Sequence, residues 1–171
     1  VRSSAASDVY KRQQKIMQYR TNEYNADLHD KFSALSVNQP FADMISKGIK
    51  KIEVRSRATK HRGDILIVSS KKVFDGYEYK DEYRIGVSIC RVELYDCKLL
   101  KECSEEELSS ACLKREDLIK ALKSGHYAWF LKNPIPVIEF PVKGQLGIFS
   151  LVYDKDFILD YPMSSSFKPI K

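Results

Sequence analysis

With 171 residues and a hydrophobic fraction of 43%, the chain can bury one core of ordinary domain size, and it has no apolar run near the roughly 20 residues of a membrane helix. It shows no secretory leader, and its four cysteines (Cys90, Cys97, Cys103, Cys112) lack C-x-x-C spacing and histidines in register, so a cytoplasmic protein with free thiols, no metal and no membrane partner is expected. The formal net charge of +6 favours an anionic partner and is local: Lys47 to Arg62 holds seven cations around one acid, Glu53, and the rest of the chain is close to balanced.

The chain opens on Val, and "VRSSAASDVYKRQ" follows neither the helical nor the strand period. It reads as a non-native tail, with Met17 as a native start and "MQYRTNEYNADLHDK" as a polar lead-in, so residues 1–31 are set outside the fold. "FSALSV" predicts a short strand. "NQPFADMISKG" predicts a helix with Asn38 as cap, Pro40 in the first turn and Gly48 at the end, and Phe41, Met44 and Ile45 form its buried stripe. "KKIEVRS" predicts a strand with Ile52 and Val54 inward and Lys51, Glu53 and Arg55 outward. "ILIV", Ile65–Val68, is apolar at every position, so both faces are covered, as in a small closed barrel.

"YRIGVSICRVELYDC" changes phase: Ile85, Val87 and Ile89 share one parity, Val92 and Leu94 the other. A bulge near Cys90–Arg91 restores a single inward face. Ser104 with Glu107 makes a capping box, and "REDLIKALKSG" runs as a second helix to Gly125. "HYAWFL" and "GIFSLVY" return to strands, and "PMSSSFKPIK" reads as a loose end within a tail at 154–171. The folded unit is placed at 32–153. It is α+β: a small β-barrel of about six strands, with a helix after the first strand and a helical insertion before the last strands.

The blocks Gln39-Pro40, Gly48-x-Lys50-x-x-Glu53-x-Arg55 and Arg62-Gly63 ahead of a buried strand occur in one order, with "YAWFLKNP" and "FPVKGQLGIFSL" towards the end. Together they resemble the ASCH domain (activating signal cointegrator homology) of the PUA-like superfamily over nearly the whole folded unit. The stretch from Lys71 to Ser124 carries little of the likeness. The resemblance implies a PUA-like barrel whose G-x-K-x-x-E-x-R segment lines a cleft beside the first helix, and RNA or a modified nucleoside as partner. Some small bacterial members resemble amidohydrolases acting on N4-acylated cytidine through a Lys, a Thr and a Glu. Lys50 matches that lysine, whereas Glu53 stands where the threonine nucleophile is expected.

The candidate site centres on Lys50, Glu53 and Arg55. Glu53 and Arg55 lie two residues apart on one strand face, in reach of each other, either as an acceptor and a phosphate clamp or as a structural ion pair. Lys50 is assigned to the turn after Gly48, before alternation begins. Arg57, Thr59, Lys60, His61 and Arg62 form a cationic loop suited to phosphates, which Ser69, Ser70, Lys71 and Lys72 extend. Gln39 is placed either against a base edge or as a tie from the helix start to a loop. Trp129 is either a stacking platform or core, the core reading being favoured. No cofactor or nucleotide-loop motif is present. Three functions follow: an RNA-binding module, a hydrolase of an acyl-modified nucleoside or of RNA with Lys50 and Glu53 catalytic, or an adaptor whose basic face meets an acidic protein partner.

Overall fold

The computed structural model describes residues 29–137 and 139–154; residues 1–28 and 155–171, which hold nearly all of the two segments read as tails, lie outside the described residues. The elements are β1 (His29–Gln39), α1 (Phe41–Ser46), β2 (Ile52–Arg55), β3 (Gly63–Val73), β4 (Ser88–Leu99), a 3-10 turn (Leu100–Glu102), α2 (Glu105–Ser109), α3 (Arg115–Lys123), β5 (Tyr127–Pro136) and β6 (Ile148–Asp154). The strands make one sheet in the order β2-β5-β4-β3-β1-β6, antiparallel except for the β1–β3 pair. The fold is therefore mixed α+β with short helices. The expected six strands are present in one sheet; β2 and β6 stand at opposite ends of the pairing order with no ladder between them among the described residues, so the sheet's hydrogen bonding does not close the expected barrel.

Alternation explains both covered faces. Ile65 and Ile67 of β3 join Leu35, Phe41, Ile45, Val92 and Leu94 on the side of α1, while Leu66 and Val68 pack with Phe32, Phe140, Phe149 and Leu151 on the other. The "ILIV" run is thus buried between two cores, each such side chain contributing about 1.5–3 kcal/mol. Ile52, Ala128 and Phe130 face a third cluster with Leu100, Ala111 and Ala121, which docks the helical insertion. Because Ile52 points there, its neighbour Glu53 points to the α1 side, directly opposite Trp129 of β5.

Two local details differ from expectation. Asn38 does not cap α1. Pro40 holds that position without a side-chain bond, and Gln39 Oε1 accepts from the Asp43 N–H at 3.1 Å instead. Asn38 turns aside to accept from Ser70 Oγ at 2.6 Å. Against β3 the β4 irregularity falls at Ile89, one residue before the expected bulge, because Ile67 pairs with Cys90 and Val68 with Ser88; against β5 the register of β4 shifts again between Arg91 and Glu93 and between Leu94 and Asp96. The helix does end at Gly48 as read, with φ +70 and Gly48 N–H donating to Ile45 O at 2.9 Å. The capping box of Ser104 and Glu107 is formed at the start of α2.

Candidate functional site

Glu53 is 7% exposed and held between two cations. Arg55, its neighbour on the same face of β2, donates from Nε to Glu53 Oε1 at 3.0 Å. From Nη2 it donates to Ser36 O at 2.7 Å, reaching from β2 to β1. Lys50 Nζ lies 3.6 Å from Glu53 Oε2. The lysine occupies the turn between Gly48 and β2, its own N–H bonded to Met44 O at 3.1 Å, so it escapes strand alternation as expected. Its ammonium donates to the carbonyl of Ala111, in the helical insertion, and lies 4.5 Å from the Phe41 ring centroid. Only 2% of Lys50 is exposed. Burial pushes its pKa below the ordinary lysine value, and the Glu53 carboxylate opposes that shift.

These groups line a cavity of about 200 Å³ with Ser36, Val37, Asn38, Val54, Phe41, Phe74 and Leu113. Phe74 stacks at a tilt on Phe41 with centroids 5.0 Å apart, and Tyr77 meets Phe41 edge-on at 5.5 Å. Lys114 joins the helical insertion to the connection between β3 and β4, donating to Gly76 O while its Nζ lies 4.5 Å from the Tyr77 ring centroid. Ser36, Phe74, Leu113 and the Ala111 carbonyl were not legible in the sequence. Phe41 was visible only as helix core, and no spacing pattern ties position 111 to position 50.

The other candidates divide. Gln39 is fully buried, and both ends of its amide are engaged within the protein: Nε2 donates to Arg84 O at 2.7 Å and Oε1 accepts from Asp43. It is the tie between helix start and loop, not a group facing a base. Trp129 is core, 4% exposed, with Nε1 donating to Arg57 O at 2.9 Å; its ring backs the Arg55 guanidinium at 5.9 Å and offers no open stacking face. Ser69 is buried against Val87 O and leaves the phosphate track. Ser70 is half-buried, while Lys71 and Lys72 are exposed. In the loop, Thr59 Oγ1 accepts from His61 N–H, His61 Nε2 lies 3.1 Å from Asp64 O, and Arg62 Nη1 donates to Thr59 O and His61 O. The loop is thus braced by its own backbone, leaving Arg57, Lys60 and Arg62 exposed. Among the described residues no cluster of three or more His, Cys, Asp or Glu is placed to hold a metal, and no helix is long and apolar enough to cross a membrane.

Residues 35–141 match the ASCH domain family, a span that contains the whole Lys50–Glu53–Arg55 pocket. The chain belongs to the ASCH domain family. Activating signal cointegrator 1 of Homo sapiens is 29% identical over 135 residues, covering 68% of this chain and 22% of that protein; the Mus musculus protein is 28% identical over the same shares. The chain thus corresponds to about a fifth of these relatives' length. Among solved structures, the ASCH protein of Zymomonas mobilis superposes with a TM-score of 0.57 at 14% identity, covering 74% of this chain and 90% of that one. Two mutant forms of the same protein give the same TM-score. The ASCH fold is shared; at this identity the site residues are argued from this chain alone.

Proposed function

We propose that this domain binds RNA and receives a single nucleobase or nucleoside in the Lys50–Glu53–Arg55 pocket. ASCH domains are PUA-like modules implicated in RNA binding, and the observation that carries the finer reading is a buried carboxylate between two cations in a cavity of about 200 Å³ walled by Phe41 and Phe74. Pockets for drug-sized ligands run to about 300–1,000 Å³, so this one suits one base and not a strand. Aromatic walls suit a base plane, and a carboxylate suits an exocyclic amino group. Arg57, Lys60, Arg62, Lys71 and Lys72, all exposed, supply a route for the phosphates outside.

A second reading, hydrolysis of an acyl-modified nucleoside, draws on one observation: Lys50 is desolvated beside Glu53, the setting that makes a lysine amine reactive. The two readings part on Glu53→Gln and Lys50→Met, each incubated with N4-acetylcytidine and with short RNA, with binding followed by anisotropy and products by mass. The binding reading expects RNA affinity at low salt, a modest change in Glu53→Gln and intact ligands throughout. Wild-type hydrolysis abolished by both substitutions would make the protein an enzyme. Absence of RNA binding at low salt would end the leading reading.

A further inference from the structure

A second cavity, of about 210 Å³, shares only Lys50 with the pocket described above. The Lys50 ammonium is already committed to Ala111 O and Glu53. Ile45, Val92 and Leu131, buried members of the first core, line the cavity beside Pro134. Tyr95, 43% exposed, stands in the same wall, so core side chains and the surface meet here. The lining includes the exposed Lys51 and Lys132 and no carboxylate. Glu93, 3.3 Å from Lys132 Nζ, offsets one of these charges, and the same ammonium lies 4.8 Å from the Tyr95 ring centroid. The backbone here resists an added strand. β2 pairs with β5 only as far as Phe130, and Leu131 N–H donates to Lys51 O at 2.8 Å. Beyond that point β5 carries Pro134 and Pro136, which have no N–H to offer.

We propose that this cavity receives one aromatic side chain from an acidic protein segment. The proposal is independent of the base pocket. A cavity below the roughly 300–1,000 Å³ of drug-sized ligands has room for a single large side chain. Walls made of core residues are the setting in which one aromatic anchor dominates an interface. A nucleobase entering here would strand its polar edges against Ile45, Val92 and Leu131, which offer them no partners. Lys51 and Lys132 complement carboxylates on either side of the anchor, and such charges set partner choice and encounter rate. With the strand edge closed to pairing by its prolines, the partner is held by side chains and not by a backbone ladder.

The test titrates the isotope-labelled protein with a short peptide in which one phenylalanine stands between runs of glutamate, and follows amide shifts by NMR. Saturable shifts are expected at Gly48, Lys51, Leu131 and Lys132, with Val37 and Val54 of the other pocket little moved. Alanine in place of the phenylalanine should weaken binding by about tenfold or more, the effect of losing one buried ring. Glutamine in place of the glutamates, or Lys51→Glu in the protein, should weaken it by about threefold or more. Lys51→Glu changes an exposed side chain, and its backbone bonds to Ser110 and Leu131 remain. Absence of saturable shifts, shifts confined to other amides, or equal binding of the alanine or glutamine peptide overturns the proposal. Short RNA that moves these amides where the peptide does not assigns the cavity to nucleic acid and overturns it too. None of these outcomes decides the base pocket, whose own occupation is read at Val37, Val54 and Leu113.

Discussion

Arg55 Nη2 stands 2.7 Å from the carbonyl oxygen of Ser36, although β2 and β1 are not neighbours in the sheet. One guanidinium crosses a gap that no strand ladder closes, and it grips Glu53 with the same fork. A charged hydrogen bond of this kind is worth roughly 1.5–3 kcal/mol, and the side chain is 27% exposed, which favours the lower end. Arg55→Ala should therefore lower stability in urea by about 1–2 kcal/mol. Arg55→Lys should recover less than half, because one ammonium does not span two acceptors. A lysine variant as stable as wild type would show that the fork does not hold the seam.

Lys50 makes stability depend on alkaline pH. Its folded pKa is lowered by burial, so between that value and the unfolded value of 10.5 the unfolded chain binds the proton that the folded chain has released. Stability must rise with pH across this window, and below it the buried charge is a constant burden. The buried Cys90 thiol, pushed up to about 12, acts in the opposite sense above the ordinary thiol pKa of 9.0. The lysine is isolated by comparing wild type with Lys50→Met by urea unfolding at a series of pH values. The stability of wild type relative to Lys50→Met should rise as pH rises through this window. A constant difference would mean that the amine is not desolvated.

Cys90 should resist alkylation in the folded protein. It is buried in the first core, whereas Cys97, Cys103 and Cys112 are partly exposed. Iodoacetamide at mildly alkaline pH should leave Cys90 unmodified until urea is added, as read by peptide mass. Modification of Cys90 as fast as Cys97 would contradict the packing of β4.

Neutralising Arg57, Lys60 and Arg62 together should flatten the salt dependence of RNA binding, by up to about 0.7 per lost contact on a log–log plot for a single strand. An unchanged slope in the triple variant would place the phosphates elsewhere, with Lys71 and Lys72 next to be tested.

Local chemistry made much of this fold readable. The opposite facing of Ile52 and Glu53, the stripe of Phe41 and Ile45, the stop at Gly48 and the capping box at Ser104 each depend on neighbours within a few residues, and each is present, although Glu53, expected outward, is buried because the α1 side of β2 is covered as well. Pairing at a distance was not readable. The phase change in β4 told of an extra residue without fixing whether Ile89 or Cys90 bears it. The covered faces of Ile65–Val68 fit a closed barrel and a sheet between two cores equally well. At the site, residue type named Lys50, Glu53 and Arg55, but Phe74 and Leu113 come from segments whose sequence carries no motif. For Gln39 and Trp129 residue type leaves two roles open, and burial, which follows from the whole chain, decides between them.

The Ala111 carbonyl that receives the Lys50 ammonium belongs to the backbone, which every amino acid supplies alike. Removing a side chain does not delete this anchor, so truncation scanning would pass over it without a signal. It can be lost only by changing the path of the chain. The next residue, Cys112, holds a left-handed φ of 56, where glycine fits with ease and a β-branched residue does not. The inheritance of the buried amine is thus written in the shape of a turn 61 residues away, and position 112 is where variation would erase it.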